Sequence, residues 1–359
     1  MAIFYHFFGS SKKKREPLKS SIIKLVSTGV LALGLAGCGS AASSSNAPSS
    51  NNATTTTLSM SASAKKLFPD GLTILVGFGT GGAVDTGARL IAPVLSKELG
   101  VNVVVQNMVG GGGNTAAQYE YNQPSTSSDL LMSFLPALAL GQVLGNGKYE
   151  LDKLTPVYGI YGNNTAVIIA KKGSKYKDFA SLKNATSTIT AATAGVKTSA
   201  TWMALAFLSG VNHINVKPVP FKGGSAGSDA ALGGSVDLSA TTIVEATRLI
   251  QSGKAQGVLE FAPHTYPQLP GVESIATVGQ ADEAFTSPMG LTGPPQMPSA
   301  KVDLIAKALA AAVQDPSLTS KATNVGLEVS PLSTSDWSQT LNQTLTTIKK
   351  DQSFLETYK

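Results

Sequence analysis

Leu72-Thr73-Ile74-Leu75-Val76 is an apolar, β-branched run of the length of a buried strand. It stops at Gly77 and passes through Gly79, Gly81 and Gly82. Val84, Ala88, Ile91, Leu95 and Leu99 then recur on one face of a predicted helix. Pro93 falls inside that helix and predicts a kink or a local bend. Val101 to Val105 reads as a second strand, followed by Gly110 to Gly113, Asn114, a helix from Thr115 to Tyr121, and a strand at Leu130–Ser133. The alternation restarts with strands at Ala166–Ala170 and Ser187–Ala192, the second running into a loop of small residues from Thr193 to Ser199. A helix follows from Ala200 to Leu208, then an extended stretch, Asn215–Phe221, carrying Pro218 and Pro220. Beyond the loop Lys222–Ser225, a short helix at Asp229–Leu232 and strands at Val236–Thr241 and Val258–Phe261 precede a proline-rich run. Lys301–Val313 is a predicted helix, and Trp337–Tyr358 an amphipathic terminal helix that packs back on the first lobe. Strand, glycine loop and helix, twice over, predict an α/β chain of two lobes with ligands at the carboxyl ends of its strands.

A glycine turn between a strand and a helix leaves backbone N–H groups without partners. With the positive end of the helix dipole, these make a receptor for an anion. The stretch from Leu72 to Arg89 therefore reads as half of a carboxylate site.

Charge bears on the class of partner. The chain of 359 residues carries a net charge of +6, which by itself suggests nucleic acid or an anionic membrane. Six of the 28 basic residues and one of the 22 acidic ones lie in residues 1–37, leaving 22 against 21, a net +1. No basic patch stands above that background, so nucleic acid is not an expected partner.

The basic cluster from Lys12 to Lys24 precedes an apolar run, Leu25 to Gly37, too short to span a membrane but suited to an export signal. It ends Leu35-Ala36-Gly37-Cys38, which resembles the lipobox of bacterial lipoproteins, where the cysteine is lipidated and becomes the new N-terminus. Cys38 is the single cysteine of the chain. Residues 38–66 are rich in Ser, Thr, Asn and Ala and read as a flexible tether.

Further blocks resemble a known family in order along the chain. They are Gly81-Gly82-Ala83-Val84-Asp85, Gln106-Asn107 with Gly110 to Asn114, and Val219-Pro220-Phe221-Lys222-Gly223. Gly233-Gly234-Ser235-Val236-Asp237, Gln268-Leu269-Pro270-Gly271-Val272 and Gly290-Leu291 complete the set. Together they resemble the substrate-binding proteins of tripartite tricarboxylate transporters, also called Bug-type proteins, over about residues 68–337. The resemblance implies a two-lobed, periplasmic-binding-protein-like (type 2) α/β fold with a ligand cleft between the lobes. The implied division is 67–165 with 290–359 for lobe 1 and 166–289 for lobe 2. By position, Thr80, Gly81, Gly82, Asp85 and Asn114 of the first lobe would face a carboxylate. Ala194, Gly195, Thr198, Ser199, Phe221, Lys222 and Gly223 would face it from the second. The implied role is capture of a small carboxylate for membrane permease subunits by an anchored receptor outside the membrane, with no cofactor, no metal and no catalysis. This chain departs from the family pattern with Gly77-Phe78-Gly79-Thr80 before the glycine pair, with Met108 where an Arg is common, and with Thr277 for a usual Glu.

Other readings compete. Gly77, Gly79 and Gly82 spell the dinucleotide fingerprint, but the second strand ends Val105-Gln106-Asn107 without the acid that holds a ribose. Gly223-Gly224-Ser225-Ala226-Gly227 spells a nucleophile elbow which, with Asp237 and His264, gives a hydrolase order and an esterase alternative acting through Ser225. Pro218 and Pro220 argue against a central strand there. A sensory co-receptor for a membrane kinase would use the same binding event as a transport receptor. Asp85 in the first helical turn also complements the helix dipole, whatever its part in binding.

Overall fold

The structure, a computed structural model, describes residues 60–194, 199–221, 223–350 and 352. Cys38 and the leader lie outside the described residues. A helix over 60–67 stands where the end of the tether was expected; Met60 and Ala64 on it are buried, which gives this end of the segment an apolar anchor.

The first lobe opens with β1 (Leu72–Val76), α1 (Ala83–Leu99), β2 (Val103–Asn107), α2 (Asn114–Tyr121), β3 (Asp129–Phe134), α3 (Leu135–Val143) and β4 (Thr155–Asn164). The chain then builds a second lobe from β5 (Ala166–Lys171), α4 (Phe179–Lys183), β6 (Ile189–Ala194), α5 (Ala200–Gly210) and β7 (Val216–Phe221). That lobe continues with α6 (Gly224–Gly233), β8 (Leu238–Thr242), α7 (Ile243–Gln251) and β9 (Ala255–Glu260). It returns through β10 (Ser287–Gly293), α8 (Ser299–Ala312), α9 (Pro316–Asn324), β11 (Val329–Leu332) and α10 (Thr334–Lys350).

The first sheet runs β11-β4-β10-β3-β1-β2 and the second β7-β6-β8-β5-β9. In the first, β2 and β3 flank β1 in parallel, while β10 runs antiparallel to β3 and β4. In the second, β6 is parallel to β7 and β8, and β5 antiparallel to β8 and β9. All five apolar positions of the α1 pattern are buried, and Pro93 sits within a helix that continues to Leu99. The second strand starts two residues later than its apolar pattern. Gly100 caps α1 in the left-handed conformation (φ 67°), and the Ser96 hydroxyl holds Val101 in the turn by donating to its carbonyl at 2.6 Å. Pro218 and Pro220 lie on β7, an edge strand, where a missing N–H removes nothing from the ladder.

One apolar cluster runs through both lobes. Val167 and Ile169 of β5 and Ile243 and Leu249 of α7 share it with Ile74, Ile91, Leu95 and Leu309. A second contact closes the lobes on the other side: Met203 of α5 is buried in a first-lobe cluster with Leu75, Ala116, Leu135 and Leu138. This sets the start of α5 against the end of β3 and the start of α3, through Ala200 and Met203 beside Phe134, Pro136 and Ala137.

Candidate ligand site

Two glycine turns form the first-lobe side. A Cβ on Gly77 would lie 2.6 Å from the Cα of Gly113, and one on Gly113 would lie 3.0 Å from the Phe78 ring. The turns after β1 and β2 therefore touch through positions that admit no side chain, and Gly113 needs its positive φ of 101° as well. Phe78 stacks on Phe134 at the end of β3, with ring centroids 4.9 Å apart.

Asp85 is the fastener of this floor. Its carboxylate accepts from the Gly81 N–H at 2.9 Å, from the Asn107 amide at 2.9 Å and from Arg89 Nε at 3.0 Å. Asn107 also donates to the Phe78 carbonyl at 2.9 Å, and Arg89 to the Asn107 oxygen at 3.0 Å. Burial pushes the Asp85 carboxyl up, but the bonds from Arg89, Gly81 and Asn107 outweigh it and hold it below the usual carboxylate value. Asp85 thus faces its own loop, and the Gly81 N–H is directed to it. Thr80 and Gly81 are exposed at the crest, and the N-cap of α1, Gly82, offers no side-chain cap. The first-turn N–H groups of α1 therefore have no side-chain acceptor, and an anion can take that place. Asn114 is almost fully buried; its amide donates to the Gly111 carbonyl, and the Tyr149 hydroxyl lies 2.7 Å from its oxygen. Its side chain shapes the second turn.

D85A should cost about 2–3 kcal/mol of stability, because three donors lose a charged acceptor together. Urea unfolding with D85A would read it. A stability within 0.5 kcal/mol of wild type, roughly the level of an ordinary surface change, would show that the fastener carries no weight.

The second-lobe side is built of hydroxyls. Ser199 caps α5, accepting from the Trp202 N–H at 3.2 Å, and its Oγ lies 2.8 Å from that of Thr201. Thr201 in turn lies 3.0 Å from Thr193 Oγ1 and accepts from the Ala194 N–H at 3.1 Å. Phe221 ends β7, and its carbonyl accepts from the Gly223 N–H at 2.8 Å. Gly223 has φ 116° and opens α6 with no side-chain cap. Gly195, Thr198 and Lys222 lie outside the described residues. Arg89, Asn107, Thr193 and Thr201 were not anticipated as site residues. The Asp85–Arg89 spacing of four on a helix was the available signal for the first.

The esterase arrangement does not assemble. Ser225 follows the carboxyl end of β7, whereas Asp237 binds Thr190 N at 2.8 Å near the amino end of the parallel neighbour β6. His264 follows β9, at the opposite edge of the sheet from β7. Four strand spacings of roughly 4.8 Å each separate those edges. Among the described residues, no group of three or more His, Cys, Asp or Glu is placed to hold a metal, and no helix is long and apolar enough to cross a membrane.

The sequence profile described as "Tripartite tricarboxylate transporter family receptor" matches residues 87–356. The chain belongs to this receptor family. It is 26% identical over 277 residues to a UPF0065 protein of Agrobacterium vitis, covering 76% of this chain and 80% of that one. Among solved structures it resembles MatC of Rhodopseudomonas palustris with bound malate (TM-score 0.69, 22% identity, 79% of this chain and 98% of that one). It also resembles R. palustris Rpa4515 with adipate (TM-score 0.71, 20% identity, 80% and 97%). These neighbours share the two-lobed fold of the receptor family.

Proposed function

We propose that this receptor captures a small carboxylate outside the membrane and presents it to the permease subunits of a tripartite transporter, by binding and lobe closure without a chemical step. The observation that carries this reading is the pair of helix starts, α1 after β1 and α5 after β6, one on each of the two lobes that Met203 joins. Each offers backbone N–H or hydroxyl donors at the carboxyl end of a strand, and an anion between them is bound from both sides only when the lobes are closed. The malate and adipate held by the two solved neighbours agree with an acid as ligand. The basic leader and Cys38 support export and a lipid anchor that keeps the receptor beside its permease.

The test is a thermal melt of protein stripped of carried-over ligand by unfolding and refolding. A carboxylate at about a hundred times its dissociation constant adds about 2.7 kcal/mol, which raises the midpoint by about 2–4 °C in a chain of this size. A shift with NAD and none with any acid would overturn the carboxylate reading.

A further inference from the structure

Resting on that reading, we infer that Thr201 is a positioning residue for the ligand. It fixes the Ser199 hydroxyl as a pure donor, so that this point of the second lobe takes an ionised oxygen and turns away an N–H or O–H.

Three hydroxyls run in a line from the interior to the start of α5. Thr193, near the end of β6, and Thr201, in the first turn of α5, are buried, whereas Ser199 is only partly so. Thr201 Oγ1 lies 3.0 Å from Thr193 Oγ1 on one side and 2.8 Å from Ser199 Oγ on the other. The line also receives two backbone donors, the Ala194 N–H on Thr201 at 3.1 Å and the Trp202 N–H on Ser199 at 3.2 Å. A side chain in the first turn of a helix points back toward the helix start, which is why Thr201 reaches the end of β6.

The order of the protons follows from what each oxygen can hold. A hydroxyl has one proton to give and two lone pairs with which to accept. Among the described residues, Thr193 Oγ1 has Thr201 as its one hydrogen-bond partner, so its buried proton goes there. Thr201 then accepts from Thr193 and from Ala194, which fills both lone pairs, and its own proton goes to Ser199. Ser199 accepts from Thr201 and from Trp202, which fills both of its own. The reverse order would strand the Thr193 proton in the interior without an acceptor, the costly arrangement. Ser199 is left with nothing to accept with and one proton to give. That proton is directed out of the line, on the residue that caps the helix start facing the ligand.

The experiment is calorimetric titration of the refolded, ligand-free protein with malate, succinate, citrate and adipate, repeated on variants with whichever of these acids bind. Loss of one hydrogen bond to a charged oxygen should weaken binding about tenfold in S199A. T201V, which keeps the shape and removes the hydroxyl, should weaken it about threefold or more, and T201S should stay within about twofold of wild type. Because Thr201 acts through Ser199, the double variant S199A/T201V should bind no more than about twofold more weakly than S199A alone. T201V costing as much in the S199A background as in wild type would assign Thr201 a merely structural part and overturn the inference. T201V without effect, or T201S as weak as T201V, would do the same. An unchanged affinity in S199A would overturn the inference and leave the carboxylate reading standing, whereas silence of wild type with every acid would overturn both. Neutron diffraction from deuterated wild-type crystals reads the proton order without a variant and keeps the test decisive should T201V fail to fold. We expect deuterium on Thr193 aimed at Thr201, on Thr201 aimed at Ser199, and on Ser199 aimed away from both; a Ser199 deuterium aimed at Thr201 would overturn the assignment.

Discussion

Stability should fall as pH rises from about 5 to about 8, and E120Q and E260Q should each flatten that fall. Glu120 of α2 is fully buried with both carboxylate oxygens unpartnered, and burial, aided by the nearby charge of Asp129, pushes its carboxyl up to about 8. Glu260 at the end of β9 is equally buried. Burial pushes it up to about 8 as well, against one hydrogen bond from the Tyr266 N–H at 3.1 Å, and its second oxygen has no partner.

The sign follows from proton counting. Between the unfolded value near 4.5 and the folded value near 8, the native chain holds protons that the unfolded chain has released. The stability that each of these two groups contributes is thus fully present below its unfolded value and declines with pH until the folded value is passed. At about 1.4 kcal/mol per unit, each group accounts for a loss on the order of 3–5 kcal/mol across that window. Glutamine is neutral throughout, so each variant should be near wild type at pH 5 and more stable at pH 8.5. Urea unfolding at the two values decides it. A constant difference between wild type and variant at both pH values would mean that neither carboxyl is held protonated by the fold.

Strand and helix identity was legible where one period governed a segment, as in β1, α1 and β5. It was not legible in α3, Leu135–Val143, which is apolar all round because it is buried on nearly every side, so no stripe marks it. Nor did β4 stand out. Its sequence, Thr155-Pro156-Val157-Tyr158-Gly159-Ile160-Tyr161-Gly162-Asn163-Asn164, is broken by Pro and Gly, and its ladder to β10 carries register shifts. The glycine turns were legible as backbone sites, since a glycine cluster between strand and helix has few other uses. What the side chains around them do was not. Asp85 faces its own loop because Arg89 and Asn107, on α1 and β2, converge on it, and only the pairing of β1 with β2 brings Asn107 there.

Trp337 shows the same dependence on register, and its removal should cost the most of any single side chain considered. The indole is fully buried beneath α10, and its Nε1 donates to the Leu291 carbonyl at 3.1 Å. Its bed is two glycines, Gly159 of β4 and Gly290 of β10, which face each other across the antiparallel ladder. A Cβ at Gly159 would stand 3.0 Å from the indole, and one at Gly290 2.8 Å. W337A deletes a large buried aromatic and leaves a trench that the paired strands cannot collapse to fill, at a cost of about 3–5 kcal/mol. G159A should also destabilise, since its methyl would press on both Trp337 and the Leu332 side chain. If the glycines exist to seat the indole, the two changes are coupled: G159A should cost less once the ring is gone, by at least about 1 kcal/mol in a double-mutant cycle. Additive costs would mean that Gly159 serves Leu332 and the strand itself. Because α10 lies on the lobe whose β1 and β2 carry the glycine turns, coupled costs would also tie the terminal helix to the stability of the candidate site's frame.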